Sequence, residues 1–187
     1  MKRRYLLAAT LAVAAFTAAA QAPAPRVALE TSEGKIVVEL APQAAPKTVE
    51  NFLTYVKSGH YDGTVFHRVI PGFMVQGGGF TADMKEKSTR GTIPLESRNG
   101  LKNERGTLAM ARRGDPDSAS AQFFINVVDN ANLDYPKPDG NGYAVFGKVV
   151  EGMDVVDKIR AAPTASRGPH QNVPVAPITI KTARIVK

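Results

Sequence analysis

The chain contains no cysteine, which excludes disulfide staples, thiol nucleophiles and cysteine-based zinc sites. That absence agrees with an oxidising compartment without demonstrating one. Histidine is scarce: His60, His67 and His170 stand without metal-ligand spacing, so no metal is expected, and His67 is expected to hydrogen-bond within the fold. Beyond Lys2, Arg3 and Arg4 the positive charges are spread out, and no nucleic-acid motif is present, so the basic charge reads as solubility and no nucleic-acid partner is expected. There is no internal repeat, heptad pattern or low-complexity block. No cofactor motif survives inspection either. Gly142 to Lys148 fits the start of a phosphate-binding loop, but Val149 stands where Ser or Thr would hold Mg²⁺, and the segment reads as a strand. Asp134, Asp139 and Asn141 lack calcium-loop spacing and a terminal Glu, so turn-forming roles beside Pro136, Pro138 and Gly140 are expected.

The longest apolar run is short. It extends from Tyr5 to Ala20 behind Lys2, Arg3 and Arg4, below the ~20 residues of a spanning helix, and it ends in small residues that offer A-x-A cleavage sites. This is the pattern of a secretory signal peptide over residues 1–20. Cleavage is expected after Ala20 in preference to Ala22, because Pro23 would then flank the scissile bond. The implied location is periplasmic, with no stable membrane association once the leader is removed. Losing the leader removes three of the 24 basic residues and none of the 17 acidic ones, which leaves a net charge of about +4.

The remainder has the length of one domain. After a linker over 21–25, Arg26 to Thr31 and Lys35 to Leu40 alternate around a Ser32-Glu33-Gly34 turn and predict a hairpin. Pro46 suits a first helical turn, Val49, Phe52, Leu53 and Val56 fall on one stripe, and Gly59 follows as a stop. Short β runs follow at Val65 to Ile70, Phe73 to Gln76, Thr107 to Ala111, Gln122 to Val127 and Ala144 to Val149. A second helix is predicted from Met153 to Ile159 and a last strand from Ile178 to Val186. Strands this short and regular imply a mainly β barrel or sandwich. Between Phe80 and Arg105 a polar stretch reads as a long surface loop, with Ile93, Leu95 and Leu101 as its apolar anchors.

Two segments carry candidate chemistry. In Val65 to Ile70, strict alternation sets Phe66, Arg68 and Ile70 on one face, so a guanidinium stands among apolar groups, and Phe73, Met74 and Gln76 return towards it after the Pro71-Gly72 turn. In Gln122 to Ile125, Gln122 and Phe124 share one face and Phe123 and Ile125 the other. Taken singly, either segment also reads as ordinary core with a solvated arginine.

Taken together they do not. The strings FHRVIPGFMVQGGG (66–79), GTLAMAR (106–112), AQFFIN (121–126) and YAVFGKVVEGMDVVDKI (143–159) occur in order and closely resemble the cyclophilin family of peptidyl-prolyl cis/trans isomerases, especially its short bacterial periplasmic members. The resemblance spans 26–187. It implies a closed eight-stranded antiparallel barrel capped by two α-helices, no cofactor, and proline-containing polypeptides as substrates. It implies that Arg68 is the catalytic arginine and Gln76 a catalytic contact to the substrate amide. Phe73, Met74, Phe124 and Leu133 would form the proline pocket, with backbone pairing at Ala111 and a polar contact from Gln122. Three positions depart from the common pattern. Asn132 stands where many members carry an aromatic residue, Tyr143 where many carry His, and Arg112 where Asn is common. All three are expected at the substrate-binding surface, and the thinner wall at Asn132 implies weak binding of cyclosporin-type inhibitors. A monomer suffices. A peptide-binding or chaperone-like domain with incidental isomerase activity would use the same groove.

Overall fold

The computed structural model describes residues 23–187; the signal-peptide reading of 1–20 and both cleavage sites lie outside them. The elements in order are β1 (Arg26–Thr31), β2 (Lys35–Leu40), α1 (Pro46–Lys57), β3 (Thr64–Ile70), β4 (Met74–Thr81), β5 (Thr107–Met110), β6 (Phe123–Asn126), β7 (Val145–Glu151), α2 (Met153–Arg160), β8 (Thr164–Arg167), β9 (His170–Pro174) and β10 (Thr179–Val186). Eight strands close into an antiparallel barrel in the order β1-β10-β3-β4-β6-β5-β7-β2. The remaining two, β8 and β9, form a separate hairpin. Its first strand is largely exposed, so it offers no apolar alternation and the sequence reading passed over it.

The barrel interior is solid. Val27, Leu29, Ile36, Val38, Phe66, Val75, Leu108, Phe123, Ile125 and Phe146 belong to one buried cluster, joined by Val49, Phe52, Tyr55 and Val56 of α1 and by Val155, Val156 and Ile159 of α2. The Phe52 ring stands 5.1, 5.6 and 5.2 Å from those of Tyr61, Phe123 and Phe146, distances at which aromatic pairs attract beyond simple area burial. A second, smaller cluster lies on the reverse side of β4, β6, β5 and β7: Met74, Phe124, Ala109 and Val145, joined by Leu133, with Ile70, Phe73, Ala111 and Tyr143 packed on it.

Strand β3 breaks the alternation read from its sequence. Its pairing with β4 runs Phe66 opposite Gly77 and then Arg68 opposite Gln76, so His67 is an extra residue, a β-bulge. Phe66 and Val69 therefore both belong to the interior cluster, and Arg68 shares its face with Ile70 but not with Phe66. His67 is buried at 5% exposure, its ring 4.6 Å from that of Phe80. The expected hydrogen bond is not made at Nδ1, which has no partner among the described residues.

The loop after β4 is held by polar groups more than by the anchors predicted for it. Ile93 packs on the core, but Leu101 is exposed, and Ser97 and Asn103 are buried in its place. Glu96 reaches α1 from 48 residues away. Its carboxylate accepts from the amide of Lys47 at 3.2 Å and from the amide and hydroxyl of Thr48 at 2.8 and 2.7 Å, replacing the side-chain cap that Ala45 cannot supply.

Candidate active site

The smaller apolar cluster floors a cavity of about 190 Å³ lined by Arg68, Phe73, Met74, Gln76, Ala111, Arg112, Phe124, Leu133 and Tyr143. That is below the 300 to 1,000 Å³ common for drug-sized ligands and suits a single residue. Three strands and the turns beside them deliver these side chains. β3 presents Arg68, β4 presents Met74 and Gln76, and β6 presents Phe124, with Gln76 directly opposite both Arg68 and Phe124 in register.

The polar rim is a relay. Arg68 donates from Nη1 to Oε1 of Gln76 at 3.3 Å, and Gln76 donates from Nε2 to Oε1 of Gln122 at 3.0 Å. The Arg68 guanidinium carbon lies 6.0 Å from the centre of the Phe73 ring. Gln122 belongs to an adjoining cleft of about 320 Å³ that continues from Gln76, Ala111 and Arg112 towards Glu86, Thr89 and Ser118. Ala111 spends its amide on the carbonyl of Gln122 at 3.0 Å, which leaves only its carbonyl to meet a bound chain.

Glycine makes the relay possible. A Cβ on Gly79 would stand 2.5 to 2.6 Å from the side chain of Gln122, and Gly78 holds φ +85° against the rings of Tyr61 and Phe123. No side chain fits at either position without displacement.

Arg112 lines the cavity, at the surface where the resemblance set it. Its side chain, only 2% exposed, is committed to the protein: Nε donates to the carbonyl of Gly142 at 3.0 Å, Nη1 to that of Arg113 at 3.0 Å, and Nη2 to both oxygens of Asp139 at 2.8 and 2.7 Å. Asp139 is therefore more than a turn former, although its carboxylate does also accept the amide of Asn141 at 3.1 Å. Tyr143 stacks between Arg112 and Phe124. Asn132 is exposed on the short turn Ala131–Leu133 and is not among the residues lining the cavity.

Three buried asparagines behind the pocket had no assigned part in the sequence reading. Asn130 donates to the carbonyl of Phe73 at 2.9 Å and to Asn126 at 2.7 Å, and Asn126 donates to Asn103 at 3.2 Å and to Thr107 at 2.9 Å. The amide of Leu133 in turn donates to the carbonyl of Asn130 at 2.8 Å. Two pocket residues are thus fixed from behind by a satisfied polar network, which is costly to disturb. The Asn126-x-x-x-Asn130 spacing, beginning on the last residue of β6, is the signal the sequence offers for it.

A closed antiparallel barrel with its cavity on the outer wall of the sheet, framed by an arginine and apolar side chains, is the architecture of the cyclophilins. The family model described as cyclophilin type peptidyl-prolyl cis-trans isomerase/CLD matches residues 26–185. The chain is 60% identical over 162 residues to peptidyl-prolyl cis-trans isomerase cyp18 of Streptomyces antibioticus, covering 86% of this chain and 98% of that one. It is 54% identical over 190 residues to peptidyl-prolyl cis-trans isomerase A of Dickeya dadantii, covering all of both. A crystal structure of a cyclophilin-type isomerase from Cryptosporidium parvum superposes with TM-score 0.73 at 28% identity, over 88% of this chain and 98% of that one. A second crystal structure of that protein, in the presence of the dipeptide Ala-Pro, gives 0.71, also at 28% identity, over 87% and 99%. The chain belongs to the cyclophilin-type peptidyl-prolyl cis-trans isomerase family. It is an enzyme of that class.

Proposed function

We propose that the pocket speeds rotation about Xaa-Pro bonds by seating the proline ring among Phe73, Met74, Phe124 and Leu133 while Arg68 stabilises the twisted amide. Resonance in the amide sets a barrier of about 18 to 20 kcal/mol. As the bond twists, the nitrogen lone pair leaves conjugation and becomes an acceptor, so a fixed cationic donor favours the transition state over either ground state. No covalent bond breaks, and no nucleophile is called for. Gln76, Gln122 and the Ala111 carbonyl would hold the flanking peptide so that rotation occurs about one bond.

The observation that carries this reading is the contrast between two arginines on one small cavity. Arg112 has its donors committed to protein acceptors. Arg68 makes one long hydrogen bond, to Gln76, and is paired with no carboxylate among the described residues. The crystal structure of the Cryptosporidium parvum relative in the presence of the dipeptide Ala-Pro supports proline-containing peptides as occupants here.

The test is NMR exchange on a short Xaa-Pro peptide at saturating peptide. Removing one preorganised donor to a transition state costs about 10²- to 10³-fold in rate, and Arg68→Ala is expected to lose at least that while remaining folded. Arg68→Lys should lose nearly as much, since a point charge does not reproduce the planar fork. Unchanged exchange in folded Arg68→Ala protein refutes the assignment. Suppressed aggregation of a proline-free client, retained in Arg68→Ala, would instead favour a binding module. We further propose that the chain acts on folding polypeptides in the periplasm as a monomer. Cell fractionation with N-terminal mass analysis should find a mature chain starting at Gln21. Cyclosporin-type ligands should bind weakly, as residue 132 adds no aromatic wall.

A further inference from the structure

We propose that Asp139 is a positioning residue for the outer wall of the proline pocket, acting through Arg112 on the ring of Tyr143. The inference rests on the isomerase reading of the pocket above.

Asp139 does not line the cavity. It lies on the turn that follows Leu133, and its carboxylate reaches the pocket only through the two-pronged contact to Nη2 of Arg112. A buried guanidinium is tolerated only when its charge and donors are met, and Arg112 has two backbone carbonyls for the donors but one anion for the charge. The carboxyl of Asp139 is held below the ordinary range, first by the hydrogen bond from Arg112, so it faces the guanidinium as a carboxylate.

Held in this way, the guanidinium carbon lies 4.5 Å from the centre of the Tyr143 ring, a cation–π contact. The Tyr143 ring in turn meets the edge of Phe124, 5.8 Å between centres at 75°, and its amide is tied to the carbonyl of Leu133 at 2.9 Å. The chain Asp139, Arg112, Tyr143, Phe124 therefore ends on the pocket floor. The turn cannot easily relax to compensate. Gly142, whose carbonyl takes Nε of Arg112, sits at φ +71°, and a Cβ there would stand 2.6 Å from the amide nitrogen of Tyr135.

The same contact separates the duties of the two arginines. With Asp139 in place, Arg112 is neutralised and pinned, and Arg68 is the uncompensated donor of the cavity. Loss of Asp139 leaves Arg112 held by two backbone carbonyls with its charge unmet, so the guanidinium turns away from the Tyr143 face towards solvent and the pocket loses grip on the proline ring while Arg68 is untouched.

The experiment separates affinity from the saturated rate. Titration of a short Ala-Pro peptide followed by NMR is expected to show binding weakened about 5- to 30-fold in Asp139→Asn, the range of one partly desolvated cation–π contact. Exchange at saturating peptide should stay within about threefold of the parent, in contrast to Arg68→Ala. Asp139→Glu should restore most of the affinity, and the double variant Arg112→Ala, Asp139→Asn should bind no worse than the weaker single, because both remove one contact. The Tyr143 ring resonances should shift in Asp139→Asn and return in Asp139→Glu. If Asp139→Asn does not fold, Arg112→Lys carries the same test, with the same loss of affinity expected. Affinity within twofold of the parent, additive losses in the double variant, or an unmoved Tyr143 signal overturns the inference. If Arg68→Ala keeps full exchange, the isomerase reading itself fails. Silence of the Asp139 variants alone leaves that reading standing.

Discussion

Arg68 on β3 and Gln76 on β4 face each other across one rung of the barrel, and the only side-chain hydrogen bond of that arginine among the described residues, 3.3 Å from Nη1 to Oε1, runs between them. The amide thus aims the guanidinium without consuming it. Gln76→Leu should leave the fold intact and lower the saturated exchange rate by about 10- to 100-fold, the scale of a small misplacement of a reacting group. A rate within twofold of the parent would show that Arg68 is aimed by the backbone alone.

The relay continues to Gln122, and Gly79 leaves the room for it. Gly79→Ala drives a methyl into the end of the Gln122 side chain, which must swing away from Gln76 and break the 3.0 Å bond. Stability should fall modestly, because the contact reaches back to Cγ of Gln122 and the whole side chain must turn. Turnover should fall several-fold. In a Gln122→Ala background the same substitution should have almost no effect, and persistence of the loss there would place its cause elsewhere.

Burial holds His67 neutral, its pKa down at about 4, with the nearby charges of His170 and Arg68 adding to the effect. The unfolded chain takes up the proton near the ordinary value of 6.5. The stabilisation from the neutral, buried ring is therefore complete above about pH 6.5 and is lost progressively as pH falls towards 4, amounting to about 3 kcal/mol over that window. His60 shifts in the same direction, mainly by burial, and leaves a residual slope. Lowered carboxyls such as Asp62 and Asp157 act only below their usual range, under pH 4. Urea midpoints at pH 7.5 and 4.5 should differ clearly in the parent and by much less in His67→Gln; equal differences would refute the assignment.

Glu96 is a helix cap supplied by a loop. Glu96→Ala removes three hydrogen bonds at the start of α1 and should cost about 1 to 2 kcal/mol, a downward shift of several degrees in Tm for a domain of this size. Peptide exchange at saturation should be unchanged well below Tm, because neither α1 nor Glu96 touches the cavity. A loss of turnover without a loss of stability would mean that the loop serves the site directly.

Elements built from a repeating local pattern were legible in the sequence: the stripe of α1, the hairpin β1–β2, and the alternation of Gln122 to Ile125, which correctly divides Phe123 from Phe124. The residues Arg68, Phe73, Met74 and Gln76 do meet at one cavity. What failed to show were the features set by pairing across the chain. The bulge at His67 exists only because Phe66 and Arg68 answer to Gly77 and Gln76 on another strand. Arg112 is buried against Asp139, and the cap on α1 comes from a loop for which the sequence offers only the apolar anchors Ile93, Leu95 and Leu101. In each case a polar side chain finds its partner through the fold, and no local periodicity records such a match.

The reverse-sided alternation along β4, β6 and β5 has a further consequence for how this protein can vary. Each of these strands serves the interior with one residue and the smaller apolar cluster with the next, so a single residue inserted into or deleted from β6 would turn Phe123 outward and Phe124 inward and disturb both compartments together. Changes of length are therefore confined to the connections between strands. Changes of chemistry at the cavity can proceed one side chain at a time over a barrel that stays as it is.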